Sequence, residues 1–230
     1  MAECGRRIRG VIFDFDGLIL DTEVPEFRVW KEIFAQHGVE LSIDAWADYI
    51  GRAPETVDPF SRLESALGRP VDREKIRQEV LARDTELIEA EPIRPGVVAA
   101  IAEAHRLGLA LAIASSSSRD WVLGHLDRLG LGSSFHVIRC SDDVARTKPE
   151  PDLYLAALAA LGLSAEEAIA LEDSPHGVAA AKRAGLYCVA VPNDLTRHLP
   201  LDGADRVVSS LAEVAVGDLV SEAEGRAAGA

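Results

Sequence analysis

The chain has 230 residues, and 48% of them are apolar, which is enough for one large domain or for a domain with a smaller one inserted into it. Its formal net charge is −14, with no extended run of lysine and arginine and no basic stretch interleaved with aromatic residues. These features argue against nucleic acid or an anionic membrane as a partner. An anionic substrate would need local neutralisation by a metal ion, a lysine and backbone N–H groups.

The cysteines and the two chain ends indicate the setting in which the protein works. Cys4, Cys140 and Cys188 are scattered without CxxC spacing, so we expect reduced thiols in a cytoplasmic protein. Residues 1–10 show no secretory signal, and no window approaches the length of a membrane span. Residues 221–230 are mostly small or charged, and we predict a disordered tail there.

Short apolar runs alternate with helical patterns that end in glycine, a common helix stop signal. The predicted strands are residues 8–13, 109–114, 136–140, 168–171, 187–191 and 206–208. The predicted helices between the later strands are residues 97–107, 121–129, 153–161 and 177–184. This alternation predicts an α/β fold with a doubly wound parallel sheet and right-handed crossovers.

Two carboxylates follow the first predicted strand. Asp14 and Asp16 are one residue apart, and Gly17 comes directly after them. In an open α/β sheet the ligand crevice lies outside the carboxyl ends of the strands. Two like charges on the same side of an extended chain are costly unless a cation lies between them. The pattern therefore indicates a catalytic edge, and the alternative is a simple Asp-Gly turn.

The next segment is too long for a plain crossover connection. Residues 22–91 read as helices with no strong strand. The predicted helices of this segment are residues 23–36, 43–49, 54–67 and 73–90. We predict a core of residues 1–20 and 93–220 and a helical cap of residues 21–92. An insertion directly after the catalytic strand would act as a lid that excludes water and selects the substrate, and the alternative is a decorative insertion.

Three further polar signals follow later strands. Ser115 opens a run of four serines after the second strand, Lys148 precedes a helix, and Glu172 and Asp173 follow the fourth strand. Each has a structural alternative, because serine and aspartate commonly cap helices and a Lys-Pro loop is usually exposed. It is less probable that all of these polar groups follow successive strands by chance: first two carboxylates, then a hydroxyl, an ammonium and two further carboxylates. Their joint occurrence favours a functional site.

These residues resemble the four motifs of the haloacid dehalogenase superfamily. The motifs are Asp14-Phe15-Asp16-Gly17, Ser115, Lys148-Pro149 and Glu172-Asp173-Ser174. The resemblance covers residues 8–215, and the inserted helices resemble the branch that holds β-phosphoglucomutase and many sugar-phosphate phosphatases. It implies an α/β fold in which a Rossmann-like doubly wound parallel sheet forms the core and an α-helical cap domain is inserted. It also implies Mg²⁺ dependence and an aspartyl-phosphate intermediate.

The resemblance also implies roles for the carboxylates. Asp14 would be the nucleophile that attacks phosphorus, and Asp16 would be the general acid and base. Mg²⁺ would be held by the Asp14 carboxylate, the Asp16 backbone carbonyl and Asp173, with Glu172 as a further ligand or a partner of one.

Phosphate and substrate contacts follow from the same resemblance. Ser115 and Lys148 would hold the transferring phosphoryl oxygens, with Ser116 and Arg52 as further binding residues. Arg119 is another residue that we expect near the phosphate or the sugar.

Departures from the family pattern separate the branches. The superfamily's dehalogenases lack a second acid such as Asp16, and its phosphonate-cleaving members use a cap lysine as a Schiff base. This chain has Arg52 in the comparable cap stretch, and a guanidinium is too basic to act as an amine nucleophile. The only cap lysines, Lys31 and Lys75, lie in patterns typical of solvated helix faces. Both of these readings are therefore disfavoured.

The choice between phosphatase and mutase depends on Glu26. Mutase-like members carry a histidine on the first cap helix, and Glu26 occupies the matching position. A carboxylate cannot supply the same hydrogen-bond donor at neutral pH, which favours hydrolysis by water. The alternative that Glu26 is an ordinary exposed helix residue stays open.

We therefore predict a Mg²⁺-dependent phosphatase that acts on a small phosphorylated metabolite, a sugar phosphate or a similar organic monophosphate. We expect a monomer or a weak homodimer with neither nucleic acid nor membrane as a partner. The alternatives are a β-phosphoglucomutase-like mutase and a non-catalytic binding module. A binding module would normally have lost Asp14, Asp16, Lys148 or Asp173, and the chain has all four.

Overall fold

A computed structural model describes residues 7–53 and 57–227. Some of the sequence predictions lie outside the described residues: those on Cys4, on the start of the helix predicted over 54–67 and on the last three residues of the predicted tail. Cys140 and Cys188 are buried free thiols, as the sequence predicts. In the described part of the chain, no helix is both long and apolar enough to cross a membrane.

Six parallel strands form one sheet. They are β1 (Gly10–Phe13), β2 (Ala110–Ala114), β3 (Val137–Arg139), β4 (Ala168–Glu172), β5 (Tyr187–Ala190) and β6 (Arg206–Val207). Their order is β3-β2-β1-β4-β5-β6, with β1 between β2 and β4. The chain therefore winds outward from β1 in one direction and then returns to wind in the other. This topology confirms the doubly wound parallel sheet, and all six predicted strands form with small differences at their ends.

Helices fill the long insertion and cover both faces of the sheet. The insertion carries α1 (Glu23–Gln36), α2 (Ile43–Trp46), α3 (Pro59–Leu67) and α4 (Arg73–Ala90). The later helices are α5 (Val97–Arg106), α6 (Arg119–Arg128), α7 (Asp152–Leu161), α8 (Pro175–Arg183) and α9 (Val216–Ala227).

Side-chain alternation along the strands gives the sheet two different faces. On one face, large residues such as Val11 and Phe13 pack against α5, α6 and α9. On the other face, Ile12 and small residues such as Ala112 and Ala114 pack against α7 and α8. Both faces are apolar and covered, which is why the strands read as continuous apolar runs.

The inserted helices form a hydrophobic cluster of their own. Trp30, Phe34 and Trp46 are buried in it, together with Leu195 from the loop after β5. Between β1 and β2, the described residues contain no strand beyond isolated bridges at Asp16, Leu20 and Ile93. This agrees with a helical cap, while the exact division at residues 20/21 and 92/93 stays a prediction.

Two cap helices are shorter than predicted. Helix α3 begins at Pro59, because the Asp58 side chain accepts a hydrogen bond from the Ser61 N–H and caps the helix there. An N-cap residue has non-helical backbone angles, and proline favours the first helical position. Helix α2 ends at Trp46, where the prediction extended to residue 49.

The predicted disordered tail is wrong for residues 221–227, which continue α9. Val216, Leu219, Val220 and Ala223 recur at helical spacing and pack into the core beside α5. The Glu103 carboxylate accepts a hydrogen bond from the Val216 N–H at 2.7 Å and anchors the start of the helix. The small residues of this segment hid an amphipathic pattern of the i, i+3, i+4, i+7 type.

Shortening a buried side chain of α9 should destabilise the protein if this helix belongs to the core. Leu219 has no exposed surface, so Leu219→Ala should lower the free energy of unfolding by about 2–5 kcal/mol, measured by urea denaturation. The exposed Ser221 gives a matched control, and Ser221→Ala should change that free energy by less than about 0.5 kcal/mol. Equal effects of the two substitutions would contradict the packing of α9.

Candidate active site

Buried charges meet at the carboxyl edge of the sheet. Asp14 follows β1, Glu172 ends β4, and Lys148 comes from the loop after β3. Lys148 Nζ lies 2.5 Å from Asp14 Oδ1 and 2.6 Å from Glu172 Oε1. All three side chains are buried, because the carboxyl ends of neighbouring parallel strands bring them under the cap.

Each charge in this group depends on the others. Burial and the charge of Glu172 raise the pKa of Asp14 to about 8, while the Lys148 ammonium acts to lower it. Burial also acts to lower the pKa of Lys148, but the charges of Asp14 and Glu172 outweigh it, and that pKa is raised. Tyr154 donates a hydrogen bond to Glu172 and places its ring beside the Lys148 ammonium. Lys148 therefore stays charged in a buried position.

A third carboxylate, that of Asp173, lies beside this group, and its neighbours do not satisfy both of its oxygens. Oxygen atoms of Asp14, Glu172 and Asp173 lie within 4.8 Å of one another, and all three residues are buried. Asp173 Oδ2 accepts a hydrogen bond from Asn193 at 3.0 Å, but its buried Oδ1 has no partner. Burial, with the charges of Asp14 and Glu172, raises the pKa of Asp173 well above its usual value. These hard oxygen donors fit a divalent cation such as Mg²⁺, which would stabilise their charged forms.

Gly17 gives Asp173 the space that it occupies. Gly17 has a φ of +77°, and a Cβ at this position would lie 2.1 Å from Asp173 Oδ2. A side chain at residue 17 would therefore displace the carboxylate, in addition to straining the backbone. The turn after β1 and the carboxylate site are thus parts of one arrangement.

Asp16 accepts hydrogen bonds on both carboxylate oxygens. Thr22 Oγ1 lies 3.2 Å and Trp121 Nε1 2.9 Å from Asp16 Oδ1. Ser115 Oγ lies 3.0 Å and Ser117 Oγ 2.8 Å from Asp16 Oδ2. Donors from the cap entrance, from the end of β2 and from α6 therefore orient this carboxylate together.

The serines that follow β2 have different roles. Ser115, predicted to bind phosphate, donates to Asp16 and is absent from the described residues that line the cavity. Ser116 lines the cavity, and its buried hydroxyl has no hydrogen-bond partner. Ser118 caps α6 and Ser174 caps α8, so the capping alternative is right for these two.

The charged group opens into a cavity of about 310 Å³ between core and cap. The core contributes Asp14, Asp16, Ser116, Ser117, Ser118, Trp121 and Lys148, and the cap contributes Thr22, Glu23, Glu26, Gly51, Arg52, Asp84 and Ile88. The cap thus lies over the crevice in the position of a lid. The reading of Glu26 as an ordinary exposed helix residue is wrong, because Glu26 lines this cavity.

Contacts between cap and core close one side of the cavity. His176 Nδ1, in the first turn of α8, lies 3.0 Å from the Ile50 carbonyl oxygen. Gly51 packs so closely that a Cβ there would lie 2.4 Å from Ser174 Oγ. The Glu23 carboxylate accepts a hydrogen bond from the Gly51 N–H at 3.2 Å. The loop at residues 50–51 therefore docks beside the Asp173 carboxylate.

Sequence reasoning missed Trp121 and Asp84. No local signal in the sequence marks the contact of Trp121 with Asp16. Asp84 does carry a signal: it shares a helical face with Ile76 and Ile88, both buried. An acidic residue in an apolar helix face is costly to bury, so it is a candidate for function.

The prediction for Arg119 does not agree with the structure. The guanidinium pairs with Asp143 at 2.5 Å and donates to the Ile138 carbonyl at 3.3 Å. Arg119 begins α6, but this pairing directs its charge to the loop after β3 instead of the cavity.

Known proteins match this chain over nearly its whole length. YhcW of Bacillus subtilis (strain 168) is 45% identical over 207 residues, which cover 90% of this chain and 94% of YhcW. Hexitol phosphatase B of Escherichia coli (strain K12) is 31% identical over 218 residues, covering 94% of this chain and 98% of the phosphatase.

Two crystal structures of CbbY from Rhodobacter sphaeroides match the fold. The complex with phosphate has a TM-score of 0.69 and 33% identity, covering 90% of this chain and 96% of CbbY. The complex of a CbbY mutant with xylulose-(1,5)-bisphosphate has a TM-score of 0.69 and 32% identity, covering 92% of this chain and 99% of CbbY.

The profile of the haloacid dehalogenase-like hydrolases matches residues 11–191. This span begins in β1, includes the whole cap and ends just after β5, so it contains Asp14, Lys148 and Asp173. The chain belongs to the haloacid dehalogenase-like hydrolases.

Proposed function

We propose that this protein is a Mg²⁺-dependent phosphatase that hydrolyses a small sugar phosphate or a similar phosphate monoester. The observation that carries the proposal is the buried Asp14–Lys148–Glu172 group, which opens into a capped cavity beside the unpartnered Asp173 oxygen. Relatives named hexitol phosphatase B and a CbbY structure that holds xylulose-(1,5)-bisphosphate support a phosphorylated sugar as the substrate.

Asp14 acts as the nucleophile. One carboxylate oxygen attacks phosphorus, the bond from phosphorus to the leaving oxygen breaks, and a phosphoaspartate forms. Water then attacks phosphorus, and the bond to the Asp14 oxygen breaks to release inorganic phosphate. Dividing the reaction in this way replaces one difficult displacement with two easier ones.

Asp16 moves the protons. In the first step it donates a proton to the leaving alkoxide, and in the second it takes a proton from the attacking water. One of its oxygens exchanges a hydrogen bond with the protein for one with the substrate during this transfer. Trp121 and Ser117 help to orient the carboxylate for it.

Lys148 and Ser116 bind the transferring phosphoryl group. The Lys148 ammonium offsets negative charge as it develops on the phosphoryl oxygens, and the unpartnered Ser116 hydroxyl donates to one of them. Ser115 contributes by holding Asp16. Arg52 contacts the substrate from the cap side of the cavity.

Mg²⁺ would be held by Asp14, Asp173 and the Asp16 backbone carbonyl, with Glu172 as a further ligand or a partner of one. When bound, it reduces the repulsion between the Asp14 carboxylate and an anionic phosphate. The cytoplasmic location and the monomeric or weakly dimeric state stay predictions.

Phosphate release across a panel of monophosphates tests this function directly. We expect inorganic phosphate from one or a few sugar or polyol monophosphates with Mg²⁺, and none after chelation by EDTA, because the carboxylates are then uncompensated. The panel includes β-glucose 1-phosphate. Accumulation of glucose 6-phosphate without phosphate release would instead establish the mutase, and release that persists in EDTA would contradict the metal requirement.

Replacement of the nucleophile tests the chemical step. Asp14→Asn should lower kcat by at least about a thousandfold, because an amide is a poor nucleophile. Asp202→Asn changes an exposed carboxylate in the loop before β6, outside the described residues that line the cavity, and should leave kcat unchanged. Circular dichroism should show that both variants are folded. Wild-type activity of Asp14→Asn would contradict the assignment of the nucleophile.

The indole of Trp121 gives a test of how Asp16 is oriented. Trp121→Phe removes the donor at 2.9 Å and keeps an aromatic ring, so kcat should fall by about tenfold with little change in KM. Trp46 is the matched control, because its indole nitrogen is buried without a partner. Trp46→Phe loses an indole N–H as well, but its kcat should stay near the wild-type value. Equal kcat values for Trp121→Phe and wild type would contradict the orienting role.

A further inference from the structure

The cap wall of the cavity carries three acidic side chains that the hydrolysis itself does not use, and one of them, Glu23, accepts a hydrogen bond from the Gly51 N–H. Glu26 comes from α1 and Asp84 from α4, and both line the cavity opposite the core. The buried Asp84 Oδ1 has no hydrogen-bond partner. Within the described residues, no side-chain hydrogen bond or ion pair satisfies Glu26 either. These two side chains, the acidic pair, are acceptors directed at a ligand space.

Burial and the lack of partners favour a hydrogen-bonding ligand for the acidic pair. Burial, with the charges of Asp84 and Asp16, raises the pKa of Glu26 to about 8. Burial raises the pKa of Asp84 to about 6. The raised pKa favours the protonated form, of Glu26 above all, so Glu26 can also donate a hydrogen bond, contrary to the expectation from the sequence. Both groups lack partners in a partly dry environment, and a hydroxyl group, which donates and accepts, can satisfy either protonation state.

The same wall offers little to a second anionic group. Among the described residues that line the cavity, the cations are Lys148 and Arg52. Lys148 is already paired with Asp14 and Glu172, which leaves the exposed Arg52 as the cation on the side of the acidic pair. A second phosphate on the substrate would lie beside the Asp84 carboxylate, with only the exposed Arg52 left to neutralise it among the described lining residues, and such an uncompensated anion is disfavoured.

Apolar surface completes the wall. Ile88 lies one helical turn after Asp84 on α4, and Trp121 faces the cavity from the core. A polyol chain has C–H groups that can contact such surfaces and hydroxyl groups that can donate to carboxylates. An ammonium group would also satisfy the acidic pair, so the two kinds of donor have to be distinguished by experiment.

We propose that Glu26 and Asp84 are specificity-determining residues that select phosphate monoesters of uncharged, hydroxyl-rich molecules and reject bisphosphates. The inference rests on the proposed phosphatase function and adds the class of the leaving group to it. It separates this protein from CbbY, whose mutant has been crystallised with a bisphosphate.

Four substrates test the proposal with the intact protein and Mg²⁺. Glucitol 6-phosphate is the monophosphate of an uncharged polyol. Fructose 1,6-bisphosphate carries a second phosphate, and glucosamine 6-phosphate carries an ammonium group. The fourth, p-nitrophenyl phosphate, has no hydroxyl groups and reports the phosphatase chemistry alone. For the wild type we expect kcat/KM for glucitol 6-phosphate to exceed that for the bisphosphate by at least about tenfold.

The variants Glu26→Gln and Asp84→Asn keep the shape of the side chains and remove their ability to ionise. Together they should raise kcat/KM for the bisphosphate by at least about tenfold and lower it for glucitol 6-phosphate, mainly through KM. Activity on p-nitrophenyl phosphate, measured alongside, reports whether the variants keep the phosphatase chemistry. Glu40→Gln and Asp48→Asn are the controls, because they remove two exposed cap carboxylates that are not among the described residues lining the cavity. If the double variant does not fold, each single variant is measured in the same way.

Each contrary result has its own meaning. Hydrolysis of p-nitrophenyl phosphate with equal or better hydrolysis of the bisphosphate than of glucitol 6-phosphate overturns this inference and leaves the phosphatase standing. A preference of at least about tenfold for glucosamine 6-phosphate overturns it in favour of cation selection. No hydrolysis of any of the four substrates overturns the proposed function itself.

Discussion

The structure depends on the burial of a lysine between two carboxylates. Lys148 reaches Asp14 and Glu172 from a loop after β3, and none of the three would remain charged alone in this position. Their burial is possible because three strand ends of one parallel sheet converge under a cap. The arrangement is costly and incompletely compensated, as the unpartnered oxygen of Asp173 shows. That deficit is what makes the site suited to a cation and a phosphate.

Core and cap divide the recognition of a substrate between them. The core presents groups that suit a phosphoryl group, and these lie at strand ends and in the loops that follow the strands. The cap presents Glu26, Asp84 and Arg52 to the rest of the substrate. Contacts of Ile50 and Gly51 with the start of α8 bring the two parts together beside Asp173. A change of cap side chains can therefore alter selectivity while the chemistry of the core is kept.

Asp16 links these two parts. Its carboxylate receives donors from Thr22 at the cap entrance, from the serine run after β2 and from Trp121 on α6. A carboxylate held by so many donors has a defined orientation, which general acid–base catalysis needs. Because one of these donors lies where the cap begins, the position of the cap and the orientation of Asp16 are physically connected.

Much of this could be predicted from the sequence, because the signals are local. Apolar runs, glycine stops and polar residues directly after strands determined the sheet, the helical insertion and the meeting of Asp14, Lys148 and Asp173, since parallel strands bring their ends to one edge. The amphipathic pattern of α9 was also present in the sequence, although small residues concealed it. Only the tertiary structure decided that Trp121 donates a hydrogen bond to Asp16 and that Asp84 faces the cavity. Those contacts depend on how far each helix is rotated and on which element packs opposite, and many residues distant in sequence determine that packing together.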